Sequence, residues 1–102
     1  MKNNLDDNIL FWLQSWVKKH TNGDWEHQNG VHITTLDNPG WCVDIDLSET
    51  ELASKEFPPL NEDRGENDWI MCRIREKKFE GRGDTTKLQK ILTIFKDWAS
   101  QN

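Results

Sequence analysis

Two aspartates on one predicted strand are the residues of this chain best placed to do chemistry. Asp44 and Asp46 are two positions apart, so strand geometry puts both side chains on one face, about 7 Å apart. Carboxylates at that distance could bind a metal ion, work as an acid–base pair or contact a basic protein surface. Because no further catalytic group accompanies them, a solvated strand face or a protein contact is the favoured interpretation.

A metal centre is the second chemistry that the residue types allow. Its ligands would be Glu26, His27, His32 and Cys42, with Asp44 nearby. Zinc sites usually show a tighter ligand spacing than this, and a turn-bonded His27 with a surface His32 explains the same residues without a metal. We therefore predict no catalytic residue, no metal site and no cofactor. A small metal-binding hydrolase using Glu26, His27, His32 and Asp44 is kept as the alternative function.

The two cysteines, Cys42 and Cys72, are too few and too far apart for a disulfide scaffold or a zinc motif. We interpret them as free thiols in a reducing cytoplasm, although the sequence is also compatible with one disulfide between them. Cys72 lies between Ile70 and Ile74, which favours a buried, inert thiol over a nucleophile.

Two helices are predicted, one near each end of the chain. The first covers residues 5–20, where apolar side chains recur at helical spacing, and Asn22-Gly23 is predicted to end it in a left-handed turn. The second covers residues 85–99. Three residues are candidates for its start: Asp84 or Thr86 as the N-cap, and Gln89 as the capping-box partner of Thr86.

A β-hairpin is predicted over residues 31–36 and 41–47, because both segments alternate in side-chain character. Ile33 and Ile45 can share a face only if paired positions have an even sum, as when 33 pairs with 45. The loop then has an odd length. The simplest choice is Asn38-Pro39-Gly40 with a left-handed Gly40.

The pattern of residues 48–68 does not determine their course. Phe57 is predicted to anchor this segment to the core, and Pro58-Pro59 excludes a central strand there. A further strand is predicted over residues 69–75, followed after a turn by a short last strand from Phe79 to Arg82.

These elements predict one α+β domain over residues 1–102. It has an N-terminal helix, a mostly antiparallel sheet of four or more strands, and a C-terminal helix, with both helices on one face of the sheet. The other face would be open to solvent and would carry Asp44, Asp46, Arg73 and Arg75.

Charge and hydropathy limit the class of partner. The net charge of −5 argues against nucleic acid as a direct partner. No apolar run reaches the roughly 18 residues of a membrane span, and the N-terminal residues lack a signal-peptide core, which favours the cytoplasm.

Residues 37–68 hold ten acids and two bases, a net of −8. This acidic segment could steer a basic partner, or it could simply keep the protein soluble.

Four blocks that join a turn signal to a large ring are spread along the chain, and three of the rings are Trp25, Trp41 and Trp69. A tryptophan left partly exposed beside such a turn would be a good interface anchor. These blocks belong to a longer series of segments: Trp12-Leu13-Gln14-Ser15-Trp16, Asn22-Gly23-Asp24-Trp25-Glu26-His27, Gly30-Val31, Thr35-Leu36-Asp37-Asn38-Pro39-Gly40-Trp41, Ile45-Asp46-Leu47, Thr50-Glu51-Leu52, Asn67-Asp68-Trp69-Ile70, Cys72, Phe79-Glu80-Gly81-Arg82-Gly83, Leu88, Ile91-Leu92 and Trp98-Ala99. In order and spacing, from Trp12 to Ala99, this series resembles the immunity protein 53 family of bacterial polymorphic toxin systems.

The resemblance implies a small cytoplasmic antidote, which binds a toxin made by the same cell or by a sibling and blocks it without catalysis. It provides no catalytic residue and no established toxin-contact residue. The sequence departs from the family pattern at Asn29, where an aromatic residue is usual, and at Asp84-Thr85, where a Gly-Pro pair is common. Both departures concern local loop shapes and the choice of partner.

We therefore expect an immunity protein, not an enzyme, that neutralises a cognate toxin domain by occlusion. An acidic surface would steer the toxin, and a nuclease is the natural target because its substrate cleft must be basic. A peptide- or sugar-binding module that uses exposed tryptophans is a further alternative. The predicted partner-binding residues are Asp44, Asp46, Glu49, Glu51, Glu62, Asp63, Glu66 and Asp68.

Overall fold

The computed structural model describes residues 8–28 and 30–101 and has two long helices packed on one face of a five-stranded sheet. Among these residues the elements are α1 (Ile9–His20), α2 (Trp25–Gln28), β1 (Val31–Leu36), β2 (Gly40–Asp46), β3 (Leu60–Asp63), β4 (Trp69–Arg75), β5 (Lys78–Gly83) and α3 (Leu88–Ser100). The strand order is β1-β2-β5-β4-β3, and all neighbours are antiparallel. This confirms the predicted α+β class and adds α2 and β3.

Polar side chains delimit α1 at both ends. The Asn8 side chain accepts hydrogen bonds from the first backbone N–H groups of the helix; the predicted start at Leu5 lies outside the described residues. The helix ends because Thr21 takes an extended conformation and its hydroxyl donates to the carbonyl of Val17. The predicted left-handed stop at Asn22-Gly23 was wrong, since Gly23 has its positive φ of 96° in the next turn, beyond the cap.

α3 begins at Leu88, later than predicted. Its N-cap position is Lys87, whose side chain makes no capping hydrogen bond, so the predicted capping box of Thr86 with Gln89 was wrong. The Asp84 carboxylate instead accepts hydrogen bonds from the backbone N–H and the hydroxyl of Thr86. These bonds close a turn that leads into the helix.

The β1–β2 hairpin has the predicted parity but a different register. Ile33 pairs with Val43 rather than Ile45, and the loop is residues 37–39. Gly40 is therefore the first residue of β2, and the prediction that it is left-handed was wrong. Glycine is needed at position 40 because β2 and β5 lie very close together there. A Cβ at this position would clash with the carbonyl oxygen of Gly83 in β5.

Gly40→Ala is expected to lower the free energy of unfolding by about 1–3 kcal/mol, because the added methyl group overpacks the backbone contact between β2 and β5. Chemical denaturation measures the loss. Thr34→Ala, at an exposed position of β1, is the control and should change stability less. Equal losses in the two variants would show that close approach does not determine the residue at position 40.

β5 is the last strand of the chain, as predicted, although it extends one residue further at each end than the predicted Phe79 to Arg82. Its place at the centre of the sheet was not predicted. Two of its helix-facing positions are glycines, and a Cβ at Gly81 would meet Ile91 of α3. The helix can therefore lie close to the middle of the sheet. β3 begins directly after Pro58-Pro59 and is an edge strand, which agrees with the predicted exclusion of a central strand there.

The helices and the sheet share one aromatic core. Phe95 of α3 is fully buried, and its ring centre lies 5.8, 5.2 and 5.1 Å from those of Trp12, Trp16 and Phe79. Phe57 packs edge-on against Phe79 and anchors the segment before β3, as predicted. Because α1 and α3 cover the same face, the opposite face of the sheet, called here the open face, carries no described helix.

Candidate functional site

Three connecting segments lie at one end of the sheet: the turn 37–39, the loop 64–68 and the link 84–87. We call this the Trp69 end, because Trp69 begins β4 there. A groove of about 390 Å³ lies between the turn and the loop. Its lining residues are Asn38, Pro39, Glu66, Asn67 and Trp69. Two of the turn-and-tryptophan blocks, far apart in sequence, therefore form one surface feature.

Hydrogen bonds fix the backbone of the Trp69 end. The Asp84 carboxylate accepts from the backbone N–H of Trp69 at 2.8 Å, and the N–H of Asp84 donates to the carbonyl of Trp69 at 3.1 Å. The indole N–H of Trp41 donates to the carbonyl of Thr85 at 3.1 Å. These bonds join the starts of β2 and β4 to the link before α3, so the backbone of the Trp69 end is held in place before any partner binds.

Lys87 joins two carboxylates at the Trp69 end. Its Nζ lies 2.8 Å from Oδ1 of Asp68 and 2.8 Å from Oδ2 of Asp84. Hydrogen bonds from Lys87 and Thr86 hold the pKa of Asp84 well below its usual range, and the bond from Lys87 also lowers the pKa of Asp68. The same contacts raise the pKa of Lys87. All three groups are charged at neutral pH, and the ammonium of Lys87 is already occupied.

Asp84→Asn is expected to reduce stability at neutral pH and to flatten its acid dependence. Because the pKa of Asp84 is lowered in the folded state, its stabilising contribution is complete above the unfolded pKa of about 3.9 and is lost as the pH falls through the folded value. The thermal unfolding midpoint of the wild type should therefore fall more steeply below about pH 4 than that of the variant. Parallel profiles would contradict this role of Asp84.

Four of the eight predicted partner-binding acids lie at the Trp69 end. Glu66 lines the groove, and the exposed Asp63 accepts a backbone hydrogen bond within the loop 64–68. Asp68 and Glu62 are ion-paired with basic side chains. Within residues 8–28 and 30–101, Glu66 and Asp63 form no ion pair. Of the predicted acids at this end, these two are therefore available to a partner. The exposed Asp37, in the turn 37–39, likewise forms no ion pair among the described residues.

Three of the predicted acids lie toward the opposite end of the sheet. Asp46 is 5% exposed, and its carboxylate accepts the backbone N–H of Ser48 at 2.9 Å. Glu49 is exposed in a left-handed turn, with a φ of 63°. Glu51 lies 2.8 Å from Nε2 of His20; although desolvation opposes it, this hydrogen bond lowers the pKa of Glu51. The predicted acids are thus divided between the two ends.

The open face of the sheet carries opposite charges in pairs. Arg82 places Nη1 2.9 Å from Oδ1 of Asp44, the eighth predicted acid. Glu80 is almost buried, with carboxylate oxygens 2.8 Å from Nε of Arg73 and 3.4 Å from Nη2 of Arg75. The face carries the charged residues that the sequence indicated, but Asp44 is already ion-paired with Arg82.

The residues of the alternative metal site are not brought together. The Glu26 carboxylate accepts backbone hydrogen bonds from residues 22–23, at 3.0 and 2.7 Å, and so closes the turn before α2. His27 is exposed in α2, whereas His32 lies opposite Asp44 in the β1–β2 pair. In the part of the chain that the structure describes, no three His, Cys, Asp or Glu side chains are close enough to hold a metal ion. The described residues therefore provide no set of metal ligands for the alternative function, a small metal-binding hydrolase.

Neither cysteine is in a disulfide, and Cys72 is buried. Both Cys42 and Cys72 are free, in agreement with the prediction. Cys72 is fully buried on the helix-facing side of β4, and desolvation raises its pKa to about 12. Its thiol therefore stays protonated and inert, as its apolar neighbours indicated.

The groove itself was not predicted from the amino-acid sequence. Four lining residues were not among the predicted partner-binding set: Asn38, Pro39, Asn67 and Trp69. The available signal was a tryptophan beside a turn. Trp41 and Trp69 are indeed half-buried, whereas Trp25 is buried in the core and donates its indole N–H to the carbonyl of Asp46. The signal therefore pointed to the right kind of residue but did not single out position 69.

Comparison with known proteins gives one match. A family model described as immunity protein 53 matches residues 10–100, which include the whole sheet, α3 and both walls of the groove. No curated protein and no solved structure matches the chain. No helix among the described residues is long and apolar enough to cross a membrane.

Proposed function

Because this chain belongs to the immunity protein 53 family, we propose that it binds a cognate bacterial toxin domain and neutralises it. The match over residues 10–100 is the observation that carries this proposal, since it spans nearly the whole chain. Binding of this kind requires no bond to be made or broken by the chain. The protein is therefore proposed to be an inhibitor without catalytic activity and without a cofactor.

Neutralisation is proposed to occur by occlusion of the toxin's active site. The features that support this are those of a rigid scaffold: one aromatic core around Phe95 and a Trp69 end whose backbone is fixed by hydrogen bonds. A preorganised surface loses little conformational entropy on binding, so more of the contact energy remains as affinity.

Carboxylates are proposed to steer the toxin to this surface. Asp63 and Glu66 contribute most in this proposal, because neither forms an ion pair among the described residues and both lie at the Trp69 end. Carboxylates already neutralised by a basic neighbour add less to the long-range field. The full proposed partner-binding set is Asp44, Asp46, Glu49, Glu51, Glu62, Asp63, Glu66 and Asp68.

A nuclease is the proposed class of toxin. A nuclease must bind phosphates, so its substrate cleft is basic and complementary to exposed carboxylates. The chain would act where it is made, in the cytoplasm, with the toxin as its direct partner rather than nucleic acid or a membrane. Its own net charge of −5 supports this choice, because it disfavours a direct contact with phosphates.

The proposed function predicts that a toxin domain is encoded beside this gene, and co-expression with that domain tests it. We expect the two proteins to co-purify at low salt and the cells to survive, whereas the toxin domain alone should stop growth. A toxin domain with an inactivated catalytic residue is the control for binding without toxicity. Failure to associate, together with no protection, would exclude the immunity function.

A further inference from the structure

We propose that the groove at the Trp69 end is a receptor for one arginine or lysine side chain of the toxin. This inference rests on the proposed function and identifies the point of contact within it. The groove joins an aromatic ring, a carboxylate and two side-chain amides, supplied by Trp69, Glu66, Asn38 and Asn67. That combination fits a cationic side chain with a planar or extended shape.

The ring and the carboxylate act on different parts of the same cation. Trp69 is half-buried and lines the groove, and tryptophan has the strongest attraction of the aromatic side chains for a cation above its face. Glu66 lines the same groove without an ion pair among the described residues. Its carboxylate can accept two parallel hydrogen bonds from a guanidinium group, which makes arginine the better fit.

Among the residues that the structure describes, no basic side chain lines this groove. The turn 37–39 and the loop 64–68 together hold three acids, Asp37, Glu66 and Asp68, and one base, Arg64. Arg64 is paired with Glu62 at 3.6 Å. Lys87, also at this end, is bound to two carboxylates, and Lys90 lies 3.8 Å from Glu62. A basic side chain from the toxin therefore meets an unbalanced negative site.

The groove has the size of a side-chain site and is held open by the fold. Its volume of about 390 Å³ lies at the lower end of the range for small-ligand clefts, so it suits one long side chain rather than a folded element. Its two walls belong to loops on opposite sides of β5, and hydrogen bonds from Asp84 and Trp41 fix the strands that carry them. Little reorganisation is needed when the side chain enters.

Binding of the neighbouring toxin domain to groove variants tests this inference. Glu66→Gln and Trp69→Ala should each weaken binding about tenfold or more, as expected for a central anchor. Two matched changes outside the groove, Glu56→Gln and Phe11→Ala, should leave the affinity unchanged, because both side chains are exposed elsewhere. Thermal unfolding of each variant verifies folding, and Glu66→Gln keeps the test valid if Trp69→Ala does not fold.

The possible outcomes distinguish a failure of the groove as the contact point from a failure of the proposed immunity function. If the wild type binds the toxin and Glu66→Gln binds equally well, the groove is not the contact point, and the immunity function stands. If the wild type does not bind the toxin, the immunity function itself fails.

A toxin-independent measurement uses acetyl-arginine amide as the probe and follows the tryptophan indole resonances by NMR. The Trp69 indole signal should shift with this probe and not with acetyl-citrulline amide, the neutral analogue. Equal shifts with both probes would overturn a charge-based site.

Discussion

Phe95→Ala is expected to lower the free energy of unfolding by about 3–5 kcal/mol. The Phe95 ring is fully buried and lies among four other rings, of Trp12, Trp16, Phe79 and Trp98. Its removal takes away apolar contacts and leaves a cavity where α1, α3 and the sheet meet. Since small domains are stable by only about 5–15 kcal/mol, the variant should be largely unfolded at moderate denaturant concentrations.

Urea denaturation measures this loss, with Phe11→Ala as the control. Phe11 is 41% exposed on α1, so the same chemical change should have a far smaller effect there. Comparable losses at the two positions would contradict a core centred on Phe95.

The double change Asp63→Asn with Glu66→Gln is expected to slow association with the toxin about tenfold or more at low salt. Both carboxylates lie at the Trp69 end and form no ion pair among the described residues. Exposed charges that are not locally neutralised contribute most to the field that guides a basic partner. Stopped-flow or surface-binding kinetics would measure the association rate constant.

Salt dependence separates steering from contact in this experiment. At about 0.5 M NaCl the screening length falls to a few ångströms, and the rate difference between wild type and the double variant should nearly disappear. Asp97→Asn with Glu56→Gln is the matched control of equal charge change, because both acids are exposed and lie beside Trp98 in the last turns of α3, away from the link 84–87. If this control variant slows association as much as Asp63→Asn with Glu66→Gln does, the association rate depends on the total net charge of the protein and not on the carboxylates of the Trp69 end.

Local sequence patterns predicted those elements that bury one face. In β2, Val43 and Ile45 are fully buried while Asp44 lies on the open face. The alternation of apolar and polar residues in the sequence therefore matches the alternation of buried and solvent-facing side chains in the strand. In the same way, the apolar stripe of α3 faces the core, with Phe95 and Trp98 buried. Patterns of this kind follow from the geometry of a single element, and a single sequence is enough to show them.

Features that depend on contacts between elements were beyond the sequence. Gly40 stands next to a proline in a turn pattern, which favours a left-handed residue, yet it is extended and is needed for the approach of Gly83. Gly81 likewise reflects the proximity of α3. The residues of β5 alone predicted only a short strand. Its central position follows from its pairing with both β2 and β4, which no local pattern shows.

The candidate site was predictable in its chemistry and not in its location. Glu66 and Trp69 stood out as an acid and a ring beside a turn. Their convergence with Pro39 requires the order β2-β5-β4, which brings the turn 37–39 across from the loop 64–68. For the same reason, the pairing of Asp44 with Arg82 was not visible in the sequence, although it neutralises a residue that had suggested catalysis.

The most direct test of the central claim is a titration of the neighbouring toxin domain's activity with the purified protein. A stoichiometric inhibitor should bring that activity to background when the two proteins are present in equal amounts, and Glu66→Gln should shift the curve to higher protein concentrations. Full toxin activity in the presence of a large excess of folded protein would contradict the account.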